Sequence, residues 1–209
     1  MKTAQQMAAS STIETKSGQN LNRMISEINR LKSQVQQQAD IIENLKRQAM
    51  ECPVTGIPNR RAFEKSLDES LAYFKRYNRT GALLLIDVND FKTINDSLGH
   101  VAGDAVLCHI ANLLQNHIRE TDFVARIGGD EFCVILREVN RDEAIHKARE
   151  LAAVIESYPC TWDAREIYIS SSVGVACFHE AGDKQDLVER ADNSMYQEKS
   201  VKDRLLSSI

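Results

Sequence analysis

The chain has 209 residues, of which 43% are hydrophobic and 27% are charged. This length provides for one domain and an extension, and the composition excludes a protein that is disordered throughout. The formal net charge is −4, with 7 Lys and Arg against 4 Asp and Glu in residues 1–50, and 19 against 26 in residues 51–209. An acidic domain argues against nucleic acid as a partner, because a protein that grips a duplex needs a basic surface.

The chain contains five cysteines, an odd number with no C-x-x-C pair, and most of them lie inside apolar runs. This pattern favours reduced thiols in a core over disulfides or a zinc site, and it is typical of cytosolic proteins. No stretch reaches the roughly 18 consecutive apolar residues of a membrane span, and the first residues include no apolar signal segment. We therefore expect a soluble, cytoplasmic chain without a membrane span.

Residues 1–20 are rich in Gln, Ser, Thr and Ala without periodicity, and we expect them to be flexible. A heptad repeat follows over residues 21–49, with these residues at its a and d positions: Leu21, Met24, Ile28, Leu31, Val35, Gln38, Ile42, Leu45 and Ala49. So narrow a stripe predicts a two-stranded coiled coil, in which Glu27 can pair with Lys32 of the partner helix. The alternative is an amphipathic helix that packs on its own domain.

Residues 21–50 are thus predicted to be a dimerisation helix, which must end near Cys52-Pro53. Residues 51–209 then form one domain of alternating helices and strands. Helices are predicted over residues 61–77, 102–118, 141–157 and 183–199, and strands over residues 81–88, 123–127, 132–136 and 167–176. This order predicts the α/β or α+β class with a central sheet.

The first strand of this domain, GALLLIDV over residues 81–88, is one apolar run, which is typical of a strand buried on both faces. Between the second and third strands lies Gly128-Gly129, a pair that is suited to the positive φ angles of a tight hairpin. These two features predict a hairpin that can pair beside a buried central strand.

Acidic side chains are predicted at the ends of these strands. Asp87 ends the first strand, and Asp130 and Glu131 follow the Gly-Gly turn. If the hairpin pairs beside the first strand, the three carboxylates converge at one sheet edge. Hard oxygen ligands without Cys or His select Mg²⁺ or Mn²⁺ over zinc, and such ions hold phosphates. The alternative is a set of ordinary surface acids at strand ends.

Three motifs carry a resemblance to a known family. Residues 126–132 read RIGGDEF; residues 87–96 read DVNDFKTIND, followed by GH at residues 99–100 and GD at residues 103–104; and residues 119–122 read RETD. In this order they resemble the GGDEF-domain diguanylate cyclases over about residues 51–204. The resemblance implies an α+β fold of the nucleotidyl-cyclase, palm-like type, with a mostly antiparallel central sheet flanked by helices.

The resemblance also implies a metal site and a substrate site. Asp87, the backbone carbonyl of Val88 and Asp130 would ligate two Mg²⁺ or Mn²⁺ ions in each half-site. Glu131 would be a further ligand or an assisting base. The residues implied in substrate binding are Phe91, Lys92, Asn95, Asp104, Arg126, Gly128, Gly129 and Lys199.

Several of these implied roles concern the phosphates of a nucleotide. Gly128 and Gly129 lack Cβ atoms, so phosphates and ribose could approach the backbone closely. Lys92 would offset the charge of the triphosphate, and the backbone N–H groups of residues 90–92 would cradle it. Lys199 matches the lysine with which the family contacts phosphate.

Other implied roles concern the base and the turn. Asn95 and Asp104 would recognise the guanine edge that adenine lacks, although Asn95 could instead be a helix cap. Arg126 would direct positive charge toward the phosphates, or else serve in strand pairing. Because metal ions can acidify the attacking hydroxyl, no histidine base is needed, and His100 is interpreted as structural.

The reaction implied by the resemblance joins two GTP molecules into cyclic di-GMP and two pyrophosphates. Each 3′-hydroxyl attacks the other nucleotide's α-phosphate, so two half-sites must face each other. The coil over residues 21–49 would bring them together as a homodimer. Arg119 and Asp122 would bind the product as an inhibitor, and the alternative for these two residues is a surface ion pair.

Three positions depart from the family pattern. Cys52 and Asn89 stand where acids are usual, and Asp203 stands where an arginine is usual. These departures leave room for a second hypothesis, a receptor that binds GTP or cyclic di-GMP without turnover. A third is a coiled-coil scaffold with an idle domain.

Overall fold

The structure is a computed structural model that describes the backbone of residues 2–206 and the side chains of residues 23–200. The chain divides into two compact units, Met1–Arg47 and Gln48–Ile209. In the part that is described, no helix is both long enough and apolar enough to cross a membrane.

Helix α1 (Lys2–Met50) is continuous over 49 residues, so residues 2–20, which we expected to be flexible, are helical. The described apolar side chains at the heptad positions are 48–65% exposed, namely Met24, Ile28, Leu31, Val35, Ile42 and Leu45. The side chain of Leu21 lies outside the described residues. Glu27, expected to face a partner helix, binds Arg30 of its own helix at 2.6 Å. The heptad stripe is therefore an exposed apolar surface.

The remaining elements belong to the second unit. The helices are α2 (Arg60–Tyr77), α3 (Phe91–Leu98), α4 (His100–Asn116), α5 (Arg141–Ser157) and α6 (Lys184–Leu206). The strands are β1 (Gly81–Val88), β2 (Phe123–Arg126), β3 (Glu131–Arg137), β4 (Cys160–Trp162), β5 (Arg165–Ile167) and β6 (Ser171–Cys177). A 3₁₀ turn, Phe178–Glu180, follows β6.

Four strands form one antiparallel sheet in the order β2-β3-β1-β6, and β4 pairs with β5 in a separate hairpin. In the pairing of β1 with β3, Asp87 lies opposite Glu131. On the other side of β1, Val88 lies opposite Ser171 of β6. The β2–β3 hairpin thus pairs beside the buried strand, as predicted, and the fold is α+β.

Strand β1 is buried on both faces, as its apolar run predicted, and among its residues only Asp87 is partly exposed. Leu84 and Ile86 pack in the core layer that contains side chains of α4 and α5. Leu83 and Leu85 pack in the layer that contains side chains of α2 and α6. Since side chains alternate along a strand, Asp87 shares the second face, toward α2 and α6.

The strand predicted over residues 167–176 is interrupted. β5 ends at Ile167 and β6 begins at Ser171, because β5 pairs with β4 in the separate hairpin, whereas β6 pairs with β1 in the central sheet. Just before β6, the backbone N–H of Asn89 donates to the Ser170 carbonyl at 3.0 Å. The single predicted strand is therefore wrong.

Two short elements were not predicted from the sequence. The β4–β5 hairpin turns at Asp163 and Ala164, which adopt φ angles of 47° and 58° without a glycine to signal the turn. Helix α3 was not among the predicted helices, and its Phe91 and Ile94 pack against the core. At eight residues it is too short for a helical period to be counted.

Candidate functional site

The acids that the sequence singled out lie at one end of the central sheet. Asp87 and Glu131 are opposite each other on β1 and β3 and therefore point to the same face. The backbone N–H of Val88 donates to the Asp130 carbonyl at 3.1 Å, so Asp130 immediately adjoins the end of β1. Within the described residues, however, no three His, Cys, Asp or Glu side chains already converge as a metal cluster.

A lysine contacts the first of these acids. Lys199 of α6 places its Nζ 2.5 Å from Oδ1 of Asp87, whose side chain is only 14% exposed. A carboxylate this buried needs a cation or hydrogen-bond donors to offset its lost hydration. Lys199 is thus brought to the end of β1, although the sequence separates it from Asp87 by 112 residues.

Glu131 makes its own contacts on the same face. Arg60 at the start of α2 lies 3.8 Å from Glu131 Oε2 in an exposed ion pair. The Glu131 side chain also folds against Gly128, where a Cβ atom would overlap Oε2. Gly128 therefore leaves the space that this carboxylate occupies.

The Gly128-Gly129 turn differs from its prediction in one respect. Neither glycine adopts a positive φ angle, so the turn does not use the left-handed conformation that we expected. A Cβ atom on Gly129 would meet nothing within 4 Å, which leaves open space beside the backbone. Small size, rather than left-handed geometry, is what this turn requires at Gly128, whereas the protein itself leaves room for a side chain at Gly129.

Arg126 binds the turn. Its Nε and Nη2 atoms donate to the Gly129 carbonyl at 3.1 and 2.7 Å, and its backbone N–H donates to the Pro58 carbonyl at 2.9 Å. The Ile127 N–H donates to the Glu131 carbonyl at 2.9 Å and closes the loop. In this structure the Arg126 side chain therefore shapes the turn.

The segment that follows β1 begins α3. Asp90 has a left-handed φ of 54°, and within the described part of the chain its side chain makes no capping hydrogen bond. Lys92 is exposed in the first turn, whereas Phe91 is half-buried against the core. The start of α3, whose backbone N–H groups would bind phosphates, thus lies shortly after Val88 in the chain.

The two residues implied in guanine recognition belong to adjacent helices. Asn95 of α3 lies against Gly103 of α4, where a Cβ atom would overlap Asn95 Oδ1. Asp104 follows Gly103 and is exposed. Asn95 lies inside α3, whose N-cap is Asp90, so its side chain is not the helix cap considered as an alternative.

Asn89, a departure from the family pattern, binds two serines. Its Nδ2 donates to Ser170 Oγ, and its Oδ1 accepts from Ser172 Oγ, both at 3.0 Å. These bonds join the end of β1 to the start of β6. Asn89 therefore supports the acidic edge structurally.

The residues implied in product binding lie at the other end of β2. Asp122 accepts hydrogen bonds from the backbone N–H groups of Arg119 and Arg137, both at 3.1 Å. Arg119 lines a cavity of about 490 Å³ together with Arg79 and Arg137. The side chain of Asp203, the third departure, lies outside the described residues.

Comparisons with known proteins agree with this arrangement. The family described as "Diguanylate cyclase, GGDEF domain" matches residues 49–204. The chain is 37% identical to the diguanylate cyclase DgcP of Pseudomonas aeruginosa over 78% of its length. It is 30% identical to the cyclic di-GMP phosphodiesterase NbdA of the same organism over 85% of its length.

A solved structure is also similar over most of the chain. The crystal structure of the coiled coil and GGDEF domain of DgcB from Caulobacter crescentus, in complex with c-di-GMP, matches with a TM-score of 0.77 and 25% identity. The match covers 85% of this chain and 94% of that one. The chain spans only 25% of DgcP and 23% of NbdA. From the match over residues 49–204, the chain belongs to the GGDEF-domain diguanylate cyclase family.

Proposed function

We propose that this chain is a diguanylate cyclase, which condenses two GTP molecules into cyclic di-GMP and releases two pyrophosphates. The observation that supports the proposal is that Asp87 lies opposite Glu131 at one end of the sheet, while the Asp130 backbone adjoins the end of β1 beside the open space at Gly129. A triphosphate bound there would lie next to hard oxygen ligands and an accessible backbone.

The donor set at this edge fits Mg²⁺ or Mn²⁺. Asp87, the Val88 carbonyl, Asp130 and Glu131 would hold the ions, two in each half-site. When bound, such ions would neutralise the triphosphate and acidify the attacking 3′-hydroxyl. The present partners of the carboxylates, Lys199 and Arg60, show that this edge already attracts cations.

The protein groups around the metal edge would bind the nucleotide. Lys92 and Lys199 would contact the triphosphate, and Lys199 would leave Asp87 to do so. Asn95 and Asp104 would hydrogen-bond the guanine, whose N1–H and N2–H₂ donors adenine lacks. Because an adenine would leave these polar groups unpaired, the site would reject ATP.

One domain carries one half-site, so turnover requires two copies. The exposed heptad stripe of α1 is the surface that we propose for a homodimer over residues 21–49. An apolar stripe of this length is unfavourable in water and is covered when two helices pair. The similar DgcB structure likewise contains a coiled coil and a GGDEF domain.

We also propose that the product binds at Arg119 and Asp122 and inhibits the enzyme. Arg119 lines a cavity together with Arg79 and Arg137, and Glu69 and Glu138 line it as well. The Arg119 guanidinium would bind a phosphate or a guanine edge through two parallel hydrogen bonds. Reduced thiols fit a reaction that takes place in the cytoplasm, where GTP is available, and all five cysteines are free.

The second candidate is a receptor that binds GTP or cyclic di-GMP without turnover. Cyclase activity is favoured because a receptor would need only the Arg119 site, whereas the chain also retains the metal acids and the guanine-binding pair. The relative named as a phosphodiesterase shows that such domains occur in proteins with other named activities.

Incubation of the protein with GTP and Mg²⁺ separates these functions. A cyclase releases pyrophosphate and forms a product that contains two guanines, detectable by mass spectrometry. A receptor binds GTP or cyclic di-GMP and forms no product. A scaffold neither binds nor converts either nucleotide.

A further inference from the structure

Cys52 lies in the loop of residues 51–59 that precedes α2. Its Sγ atom accepts a hydrogen bond from Arg126 Nη1 at 3.2 Å. The same guanidinium donates through Nε and Nη2 to the Gly129 carbonyl. Arg126 therefore connects a buried thiol with the turn that immediately precedes Asp130.

The backbone of this loop fixes the position of the sulfur. The Cys52 N–H donates to the Ile57 carbonyl, and the Gly56 N–H donates to the Cys52 carbonyl, both at 2.8 Å. The loop is joined to β2 by the bond from the Arg126 N–H to the Pro58 carbonyl. Because that bond involves only backbone atoms, a change of the Cys52 side chain leaves the attachment of the loop intact.

The sulfur is suited to accept a bond from a cation. Burial raises the pKa of the Cys52 thiol, but hydrogen bonding to its sulfur, which includes the bond from Arg126, outweighs burial and brings the pKa below its ordinary value. Burial raises the pKa of the Cys133 thiol well above its ordinary value. Burial also raises the pKa of Cys108. The pKa of Cys52 is thus shifted in the opposite direction to those of the other two thiols, as expected for a sulfur that accepts a bond from a cation.

The geometry explains why a third bond matters. Two bonds from one guanidinium to the single Gly129 carbonyl oxygen leave the group free to pivot about that oxygen. A bond to a fixed atom in another direction removes that freedom, because a guanidinium is planar and its N–H groups are rigidly placed. The sulfur of Cys52 is that atom.

We propose that Cys52 is a positioning residue, whose sulfur fixes Arg126 and thereby the turn that carries Gly129 and Asp130. The inference rests on the proposed function, because the turn matters for turnover only if Asp130 serves the reaction. It assigns to the thiol a role in alignment of the site, with no direct contact to substrate.

Kinetics of variants with a matched control test this role. Cys52→Val removes the acceptor at similar volume and should lower kcat roughly three- to thirtyfold, with the KM for GTP within about twofold of wild type. Cys52→Asp supplies another acceptor and should recover most of kcat. Cys108→Val is the control, because Cys108 bonds the Val54 carbonyl of the same loop but not Arg126. It should behave as wild type.

A double-mutant cycle and hydrogen exchange complete the test. In an Arg126→Met background, Cys52→Val should cause no further loss, since the link is already broken. Amide exchange of residues 126–131 should accelerate in Cys52→Val and Arg126→Met, and not in Cys108→Val. If Cys52→Val does not fold, Cys52→Ala takes its place.

The inference is overturned if Cys52→Val keeps the wild-type kcat and the wild-type amide exchange of residues 126–131. It is also overturned if the losses of kcat in Cys52→Val and Arg126→Met are additive in the double variant. Hydrogen exchange requires no turnover, so it tests the link even in a protein that forms no product. If the wild-type protein forms no product, the proposed function is wrong. If amide exchange of the turn nevertheless accelerates in Cys52→Val, the link between the thiol and the turn still holds.

Discussion

Lys199 Nζ lies 2.5 Å from Asp87 Oδ1, so a lysine of α6 neutralises the acid that ends β1. The Asp87 side chain is mostly buried, and a buried carboxylate that lost this partner would retain an uncompensated charge. The ammonium group therefore binds the carboxylate that the proposed metal ion would also use. Lysine and metal should compete for Asp87 as long as no triphosphate draws the lysine away.

This competition predicts opposite effects of one substitution. Lys199→Met should strengthen Mn²⁺ binding to the nucleotide-free protein about three- to tenfold, because the competing cation is gone. The same variant should raise the KM for GTP about tenfold, because a phosphate contact is lost. Lys184→Met is the control, since Lys184 of α6 pairs with Glu64 and Asp68. Calorimetric titration with Mn²⁺ that shows unchanged or weaker binding in Lys199→Met would contradict the competition.

The two turn glycines should respond differently to alanine. Gly128→Ala places a Cβ atom on Glu131 Oε2, so the carboxylate must move, and kcat should fall about tenfold or more. Gly129→Ala meets no protein atom within 4 Å, so the fold should tolerate it, while the KM for GTP rises because the methyl group enters the space for the nucleotide.

Steady-state kinetics and thermal unfolding of both glycine variants provide the measurement. The thermal midpoint of Gly129→Ala should stay near that of wild type. An unchanged KM in Gly129→Ala would place the nucleotide elsewhere.

Asp104 should determine the choice of base. Asp104→Ala should lower kcat/KM for GTP about 10- to 100-fold, because the N1–H and N2–H₂ donors of guanine lose their acceptor. Inosine triphosphate lacks the N2 amine, so the same substitution should lower kcat/KM for this nucleotide by a smaller factor. The ratio of kcat/KM for the two nucleotides in wild type and variant measures this. Asp96→Ala, an exposed acid on α3, is the control, and equal losses for both nucleotides would argue against base recognition by Asp104.

The heptad stripe should control assembly and, through it, activity. Leu31→Asp combined with Val35→Asp places charges at two positions of the exposed apolar stripe and should shift the protein toward monomer. Product formation per chain should then fall more than tenfold at micromolar protein and recover partly at higher concentration. Gln37→Asp, off the stripe, should leave the assembly unchanged. Light scattering coupled to size-exclusion chromatography measures the oligomeric state. An active monomer would contradict the proposal that turnover requires half-sites from two chains.

The sequence alone predicted the parts of the site that depend on strand alternation. The apolar run of β1 with an acid near its end, followed by a hairpin, was sufficient to bring Asp87 and Glu131 together. The strand break before Ser171 could not be predicted, because it occurs where the chain leaves the β4–β5 hairpin and pairs instead with β1, which is distant in sequence.

Contacts between distant elements carry the rest of the site. The lysine on Asp87 is 112 residues away, and the guanidinium of Arg126 binds both the turn and Cys52, 74 residues earlier. Such pairings depend on how helices and loops pack on the sheet, and the local periodicity of hydrophobic residues in the sequence does not indicate them. A positive charge in the last helix was visible in the sequence, but its partner was not.

The most direct test of the central claim measures metal binding and turnover in the same variants. Asp87→Asn and Asp130→Asn should each weaken Mn²⁺ binding in the presence of a non-hydrolysable GTP analogue and lower cyclic di-GMP formation by at least about a hundredfold. Asp96→Asn should match wild type in both. If either site variant binds Mn²⁺ and forms product as wild type does, the acidic edge of the sheet is not the catalytic metal site.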